Sequence, residues 1–416
     1  MKRTLPLLLI SAALALPAIG QTQKPSSSFG ISFSGYVKTD IFYDSRQTVD
    51  IREGHFLLYP KGPLDDPDGR DINRRAGLNI LSIQTRLIGR ITGPDALGAK
   101  TSAYVEGEFF GVSDADTNGF RLRHAYLKLN WTSSELLIGQ YWHPMFIVED
   151  YPDVVSFNTG APFQPFNRSP QIRYTRTFGG LSLTGTFLAQ RDFASIGPNG
   201  VSSSYLRNAA LPELNFRLQY AWKSQAAGSE GLAGAAVDYL KLAPRLMTET
   251  GYATDEKVGG LTAMAYFKER WPGWTFKAEG VYGQNLCHLT MLGGYAVDAI
   301  ADPIRKAWEY TPLDTMSFWA EAQTNGTRWQ TGIFAGYSKN LGARREIVGA
   351  NFTRGFNIAQ LFRVSPRLLY NVGKLRLAGE LELTGAAYGT PDAFGKVRGA
   401  SYVTNARLLL AAYYFF

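Results

Sequence analysis

The chain of 416 residues contains one cysteine and four histidines, which is little for a protein of this length. A single cysteine excludes an intramolecular disulfide framework and a cysteine-based zinc cluster. The sequence also lacks the H-E-x-x-H and G-x-S-x-G motifs, which supply metal ligands or a nucleophile. The formal net charge is +8, but no Lys/Arg-rich run accompanies it, so nucleic-acid binding has little support. We therefore expect no enzyme activity, no cofactor and no nucleic-acid partner.

Long apolar runs are also absent, except at the N-terminus. There, Lys2 and Arg3 precede an apolar segment over residues 5–16, and small residues follow it. This order predicts a cleaved secretory signal peptide over residues 1–20, because the apolar run is too short for a membrane anchor. We expect residues 21–28 to form a short disordered lead-in. Removal of the two basic residues takes the formal charge from +8 to +6.

From residue 29 onward, apolar and polar residues alternate with a period of two, which indicates β-strands with one apolar and one polar face. In residues 213–222, apolar side chains such as Phe216 alternate with polar ones such as Arg217. Residues 374–386 repeat the pattern. In residues 79–91, the predicted apolar face holds Leu81, Ile83, Thr85, Leu87 and Ile91, and the polar face holds Ser82, Gln84, Arg86 and Arg90.

About sixteen segments of roughly ten residues share this pattern, as expected for a bacterial membrane barrel with an even number of strands. They lie near residues 30–44, 79–91, 100–110, 121–131, 134–141, 171–177, 181–191, 213–222, 232–242, 257–268, 274–285, 314–323, 328–338, 359–370, 374–386 and 402–416. Short connections such as TGPDALGA, FGG and TNGT alternate with long ones. Long outer loops alternating with short periplasmic turns are typical of barrels whose two chain ends face the periplasm.

Many of the predicted strands carry charges on their polar face, so that face must meet water inside the barrel. A secreted β-sandwich or propeller, the alternative fold, would bury its apolar faces inside. Lipid outside explains the inversion, and closure pairs every backbone group where water is absent. The sequence therefore predicts an all-β, antiparallel up-and-down transmembrane barrel over residues 29–416. Its last strand is expected to pair with the first and to face lipid with Leu408, Leu410, Ala412, Tyr414 and Phe416.

Four stretches resemble the first five strands of the DcaP-like and related trimeric porins of Gram-negative outer membranes: GYVKTDIFYDSR, GPDALGAKTSAYVEGEFFG, RLRHAYLKLNW and LLIGQYWHPMF. The resemblance covers residues 30–145. It implies sixteen strands, a homotrimer, a third outer loop folded into the lumen, and a terminal Phe416 read by the barrel-assembly machinery. DcaP-like porins often carry a periplasmic coiled coil, for which residues 21–28 are too short, so their substrate preference is not carried over.

If the apolar faces meet lipid, a set of basic residues lines the pore: Lys38, Arg86, Arg90, Lys128, Arg173, Arg217, Arg363, Arg367 and Arg376. The acids on the same side are Asp40, Glu106, Glu108, Glu279, Glu321, Glu380 and Glu382. Arginine-rich walls favour anions in a narrow pore, and guanidinium groups bind carboxylate and phosphate. The alternative is that individual arginines pair with these acids and brace the wall.

Residues 142–170 follow the fifth predicted strand, where porins fold a loop inward to constrict the channel. We expect Glu149, Asp150 and Asp153 to face the arginines there, and Phe157 to pack against the wall or to contact an aromatic solute. The alternative is a loop packed over the mouth of the barrel, with these acids in solvent.

One weak calcium motif is present. Asp114, Asp116 and Asn118 match the first half of an EF-hand loop, but Ala125 stands where the bidentate glutamate belongs. The same residue types are common in hairpin loops. We therefore expect no metal site here.

The histidines offer little for catalysis. His124 alternates with Tyr126 and should point into the lumen, whereas a barrel phospholipase would need a Ser–His pair on the lipid face. We expect His143 to be a polar pore or packing residue. Cys287 and His288 fall in a predicted outer loop without further metal ligands.

Taken together, these features predict an outer-membrane porin that passes small hydrophilic, preferentially anionic solutes by diffusion. The expected partners are membrane lipid, lipopolysaccharide, the assembly machinery and further copies of the chain. The alternative from another class is a plugged structural or adhesive barrel that binds partners through its outer loops.

Overall fold

The computed structural model describes residues 29–416, so the predicted signal peptide and the lead-in of residues 21–28 lie outside the described residues. The strands are β1 (Gly30–Asp44), β2 (Thr48–Ile51), β3 (Phe56–Pro60), β4 (Gly77–Leu81), β5 (Arg86–Thr92), β6 (Lys100–Glu108), β7 (Arg121–Asn130), β8 (Ser134–Trp142), β9 (Arg168–Phe178), β10 (Leu181–Leu188), β11 (Ile196–Gly197), β12 (Gly200–Val201), β13 (Glu213–Ser224), β14 (Ser229–Leu242), β15 (Val258–Arg270), β16 (Trp274–Gln284), β17 (Gly293–Asp302), β18 (Ala307–Thr324), β19 (Trp329–Ala343), β20 (Asn351–Arg354), β21 (Ile358–Val372), β22 (Leu375–Pro391) and β23 (Val397–Phe415). The helical elements are α1 (Ser204–Asn208) and three 3₁₀ turns, Ile72–Arg74, Asp114–Asp116 and Leu286–Leu289. Within residues 29–416, no helix has the length and apolar character needed to cross a membrane.

Nineteen of the described strands form one antiparallel sheet that closes on itself. Two of them, β4 and β5, both pair with β1 and act as two parts of one wall strand. Two others, β17 and β20, pair with each other and extend the sheet beyond the wall. The wall therefore has sixteen strands that follow the order of the chain, and the predicted transmembrane barrel and its sixteen segments are confirmed.

The barrel closes through its first and last strands. In the β1–β23 ladder, Tyr36 lies opposite Phe415 and Asp44 opposite Arg407. The main chain of Phe416 extends the ladder: its N–H donates to Gly35 O at 3.1 Å, and its carbonyl accepts from Gly35 N at 3.2 Å. The predicted pairing is confirmed, and it ties the terminal aromatic residues into the wall.

Apolar side chains of the wall point outward, and charged side chains point inward. In β23, Leu408 and Leu410 are each 50 % exposed, whereas the intervening Leu409 is 3 % exposed. In β13, the exposed Phe216 alternates with the buried Arg217. The outer surface is thus an apolar belt that suits lipid, as predicted.

One wall strand departs from the predicted alternation. The chain leaves the ladder at residues 82–85, between β4 and β5. The inward and outward side chains of β4 and β5 therefore do not follow one continuous alternation. Leu78 points outward, but Leu81 and Ile83 turn inward and pack against aromatic side chains of the lumen. The prediction that Leu81 and Ile83 face lipid is therefore wrong, while Leu87 is exposed on the outside as predicted.

Short and long connections alternate around the barrel. The short turns include residues 131–133 and 179–180, and the long loops include residues 143–167 and 189–212. Segregation of long loops to one rim is the pattern that the sequence predicted.

Candidate solute pathway through the barrel

An irregularity in the wall determines which charges face the lumen. A β-bulge between β6 and β7 sets Glu106 opposite His124 and shifts the register beyond it. Arg121, Arg123 and His124 consequently all point inward and are buried. Strict alternation counted back from His124 would place both arginines on the lipid side, so sequence reasoning missed them.

The sequence does contain a signal of this bulge. Leu122 and Leu127 are both exposed on the outer face although they are five residues apart. A regular strand cannot place an odd spacing on one face. Two apolar residues at such a spacing therefore indicate an inserted residue between them.

Arg121 and Arg123 belong to an arginine network, which consists of Arg86, Arg121, Arg123, Arg168, Glu106, Glu108 and Asp192. Glu108 accepts from Arg121 Nη2 and Arg123 Nη1, both at 2.7 Å, and from Arg86 Nε at 3.1 Å. Asp192 joins Arg121 to Arg168. Four guanidinium groups against three carboxylates leave one positive charge in excess, held rigidly by paired hydrogen bonds.

A cavity of about 510 Å³ lies beside this network, bounded by the third long loop and by the wall strands β1, β5, β6, β7, β8, β18, β19, β21, β22 and β23. Its charged lining consists of Arg86, Arg123, Arg367, Arg376, Glu106 and Asp153. Its aromatic lining includes Tyr36, Trp142, Phe146, Tyr151, Tyr413 and Phe415. Four basic groups and two acidic ones line the cavity, and the buried Glu108 and Glu321 behind the lining pair with three of the basic groups. The excess positive charge at the cavity surface therefore belongs mainly to Arg376, and the low-dielectric wall focuses its field.

Arg376 contributes the least compensated of these charges. Its Nε donates to the neutral amide oxygen of Asn371 at 2.8 Å, and its guanidinium lies over the Tyr413 and Phe415 rings. Arg367, in contrast, bonds to the Glu321 carboxylate at 2.9 Å. The field of Arg376 therefore reaches the cavity with little local cancellation.

The nine predicted basic residues divide into three groups. Arg86, Arg367 and Arg376 line the cavity. Inward-facing residues that lie away from it are Arg90, Lys128, Arg173 and Arg217; Lys128, for example, pairs with Glu135. Lys38 and Arg363 face inward but are only 0 % and 1 % exposed, so the prediction that these two line the pore is wrong.

Wall carboxylates anchor the third long loop, residues 143–167, inside the barrel. Glu321 of β18 accepts from Asp153 N at 2.9 Å, and Glu380 of β22 accepts from Val155 N. Backbone donors that are buried away from water need such partners. The inward acids of these strands therefore hold the loop rather than facing open water.

Wall cations anchor the same loop through its carbonyl oxygens. Lys38 Nζ donates to Val155 O at 2.9 Å, and Arg363 Nη1 donates to Ala161 O at 2.8 Å. Contacts to β1, β18, β21 and β22 place the loop across the lumen. Lys38 and Arg363 were misassigned because their partners lie 117 and 202 residues away in sequence.

The three predicted loop acids have different environments. Asp153 lines the cavity, and its carboxylate lies 2.7 Å from Lys277 Nζ. Glu149 is exposed, and its main-chain oxygen accepts from Lys268. The expectation that all three acids face the arginines is therefore wrong, and it holds for Asp153 alone.

Asp150 is buried against the wall. Within residues 29–416, neither of its carboxylate oxygens has a hydrogen-bond partner. Burial, and after it the nearby Glu279 carboxylate, raises the pKa of Asp150 to about 9. Asp150 is thus protonated at neutral pH and adds no charge to the pathway.

A second outer segment also enters the lumen, which the sequence analysis did not predict. Phe56 and Leu58 of the β2–β3 hairpin are fully buried, and Phe56 contacts Phe157. Phe157 in turn stacks on Phe110 with 4.4 Å between ring centroids. The apolar run FLLYP within a polar loop was the available signal, because such a run needs a buried surface.

The residues of the calcium motif stabilise their own loop. Asp114 Oδ1 accepts from Arg52 N at 2.8 Å, and Asp116 Oδ2 accepts from Val112 N at 3.0 Å. Asn118 adopts a left-handed conformation with φ of 79°. These are ordinary loop contacts, and they give the calcium interpretation no support.

No protein-family model and no curated protein matches the chain. Solved structures do match. The outer membrane channel DcaP of Acinetobacter baumannii is 17 % identical, with a TM-score of 0.68 over 95 % of this chain and 99 % of that one. The anion-selective porin from Comamonas acidovorans is 12 % identical, with a TM-score of 0.53 over 94 % and 100 %. The trimer form of in-vitro folded OmpT from Vibrio cholerae is 11 % identical, with a TM-score of 0.54 over 94 % and 100 %.

At these identities the likeness establishes the fold alone, and the fold is that of the porins. The resemblance to DcaP-like porins, predicted from residues 30–145, is confirmed at the level of the fold and extends over nearly the whole chain.

Proposed function

We propose that the protein is an outer-membrane porin through which small hydrophilic anions diffuse. The proposal rests on the cavity beside the third loop, where four basic side chains oppose two acidic ones. Such a field concentrates anions and repels cations without a specific binding site, so solutes are released as readily as they enter.

The barrel fold and the predicted signal peptide support the remaining parts of this proposal. The apolar belt sits in the outer membrane, the outer rim meets lipopolysaccharide, and residues 1–20 direct export. We further propose that the barrel-assembly machinery recognises Phe416 and that the protein is a homotrimer. The trimer form of the Vibrio cholerae protein, which shares the fold, supports the trimer.

Liposome swelling with solutes of matched size tests the anion preference. Glutamate, glutamine and lysine differ in charge far more than in size. We expect proteoliposomes to swell fastest with glutamate, more slowly with glutamine and slowest with lysine. Equal rates for the three solutes would contradict the anion preference.

One observation favours a second candidate, the plugged structural or adhesive barrel. The β2–β3 hairpin and the third loop pack together in the lumen through Phe56, Phe157 and Phe110. If these segments close the pathway, proteoliposomes that contain folded protein will not swell with any of the three solutes.

A further inference from the structure

Three buried side chains from distant parts of the chain meet at the outer end of the wall. They are His143 at the base of the third loop, Glu213 at the start of β13, and His288 in the turn Leu286–Leu289. The Nε2 atoms of His143 and His288 lie 3.0 and 2.8 Å from the same carboxylate oxygen, Oε1 of Glu213. The expectation that His288 has no further metal ligands nearby is therefore wrong.

The donor atoms of this histidine cluster have the geometry of a metal site. All three lie within 4.8 Å of one another. An ion bound at about 2.1 Å holds neighbouring donors about 3.0–3.4 Å apart, so the two contacts to Glu213 Oε1 need to widen slightly. The two histidine nitrogens are at most 4.8 Å apart, and metal binding brings them to this same spacing. Within residues 29–416, the buried His288 Nδ1 has no hydrogen-bond partner, and the Glu213 carboxylate also has the buried carboxyl of Asp238 within hydrogen-bond reach.

We propose that His143, Glu213 and His288 bind one divalent transition-metal ion, with Zn²⁺ the best match. Two imidazoles and one carboxylate are a known zinc donor set, which leaves the fourth coordination position to a water molecule. The site is structural: it fixes the base of the third loop to β13 and to an outer turn, which is a role beyond solute diffusion.

Binding has a defined consequence for the His143 ring. Its Nδ1 accepts from Met145 N at 3.2 Å, so in the metal-free state Nε2 carries the proton and donates to Glu213. Coordination through Nε2 moves that proton to Nδ1. Because a protonated Nδ1 cannot accept, the hydrogen bond from Met145 N is lost and the metal bond replaces it. Without an ion, the histidine cluster is held by the hydrogen bonds of His143 and His288 to the Glu213 carboxylate.

Metal analysis of the full-length barrel tests the proposal. Folded protein in detergent is incubated with Zn²⁺, cleared of unbound ion and assayed for bound zinc. We expect about one equivalent in the wild type and at least a tenfold weaker affinity in His143→Ala and His288→Ala. Cys287→Ser is the matched control, since the thiol is a neighbour but not one of the three donors, and it should retain the ion.

Two further readouts protect the test against misfolded variants. In the wild type, Co²⁺ should give the visible absorption of an ion bound to nitrogen and oxygen, and Zn²⁺ should raise the melting temperature until one equivalent is bound. A wild type that is shown to be folded but binds no zinc would overturn the proposal. The histidine cluster would then be a set of hydrogen bonds without a metal ion. Undiminished binding in both histidine variants would overturn it as well.

Discussion

Arg376 offers the sharpest test of the electrostatic pathway, because its neighbour in the wall is the neutral Asn371. Its removal therefore leaves no acid without a partner. An ion that passes about 5 Å from this guanidinium in water has an interaction energy of about 0.8 kcal/mol. Screening in 0.1 M salt lowers this value to about 0.5 kcal/mol.

The interaction energy has opposite signs for anions and cations. Removal of one positive charge therefore changes the difference between their free energies of passage by about 1 kcal/mol. We therefore expect Arg376→Gln to lower the anion-to-cation permeability ratio about fivefold, and Arg376→Glu to lower it about thirtyfold. The assay is the reversal potential across a planar bilayer under a gradient of KCl. Lys223→Gln is the matched control, because Lys223 is 82 % exposed on its side chain and lies beside a short turn, away from the cavity. An unchanged reversal potential in Arg376→Glu would refute the reasoning.

Three other substitutions test how the lumen is built. A Cβ at Gly336 would lie 2.5 Å from the Phe163 ring, so we expect Gly336→Val to displace the third loop and raise single-channel conductance; Gly280→Val, at a position with open space, should not. Arg363→Ala removes the donor to the Ala161 and Leu58 carbonyls and the cation that pairs with Glu382, and we expect a loss of about 3–5 kcal/mol in urea unfolding together with faster proteolysis of the loop. The folded protein keeps a proton on Asp150 that the unfolded chain loses near pH 4, so the contribution of Asp150 to wild-type stability falls as pH rises from about 4 to about 9. Asp150→Asn removes that dependence, and its advantage over the wild type in heat-modifiability assays should grow with pH across this interval; a constant difference would contradict the assignment.

The barrel was predictable because its determinants are local. Alternation in segments such as residues 213–222 determines which face meets lipid. The alternation of long and short loops determines which rim of the barrel is the outer one. Both patterns can be recognised in the sequence without knowledge of contacts between distant residues. The break at residues 82–85 shows their limit, since it reversed the faces of Leu81 and Ile83.

The pathway was less predictable because a single inserted residue or a distant partner changes the role of a side chain. The bulge before His124 brought Arg121 and Arg123 inward, against strict alternation. The alternation of the sequence places both Arg363 and Arg367 on the inward face, yet Arg363 binds loop carbonyls while Arg367 lines the cavity. The histidine cluster joins positions up to 145 residues apart, and no local pattern in the sequence marks it.

The most direct test of the central claim is a planar-bilayer recording of the purified wild-type protein under a salt gradient. A water-filled, positively lined pathway predicts discrete conductance steps, in triplets if the protein is a trimer, with a reversal potential that shows anion preference. A silent bilayer that contains folded, inserted protein, or a reversal potential that shows cation preference, would contradict the account.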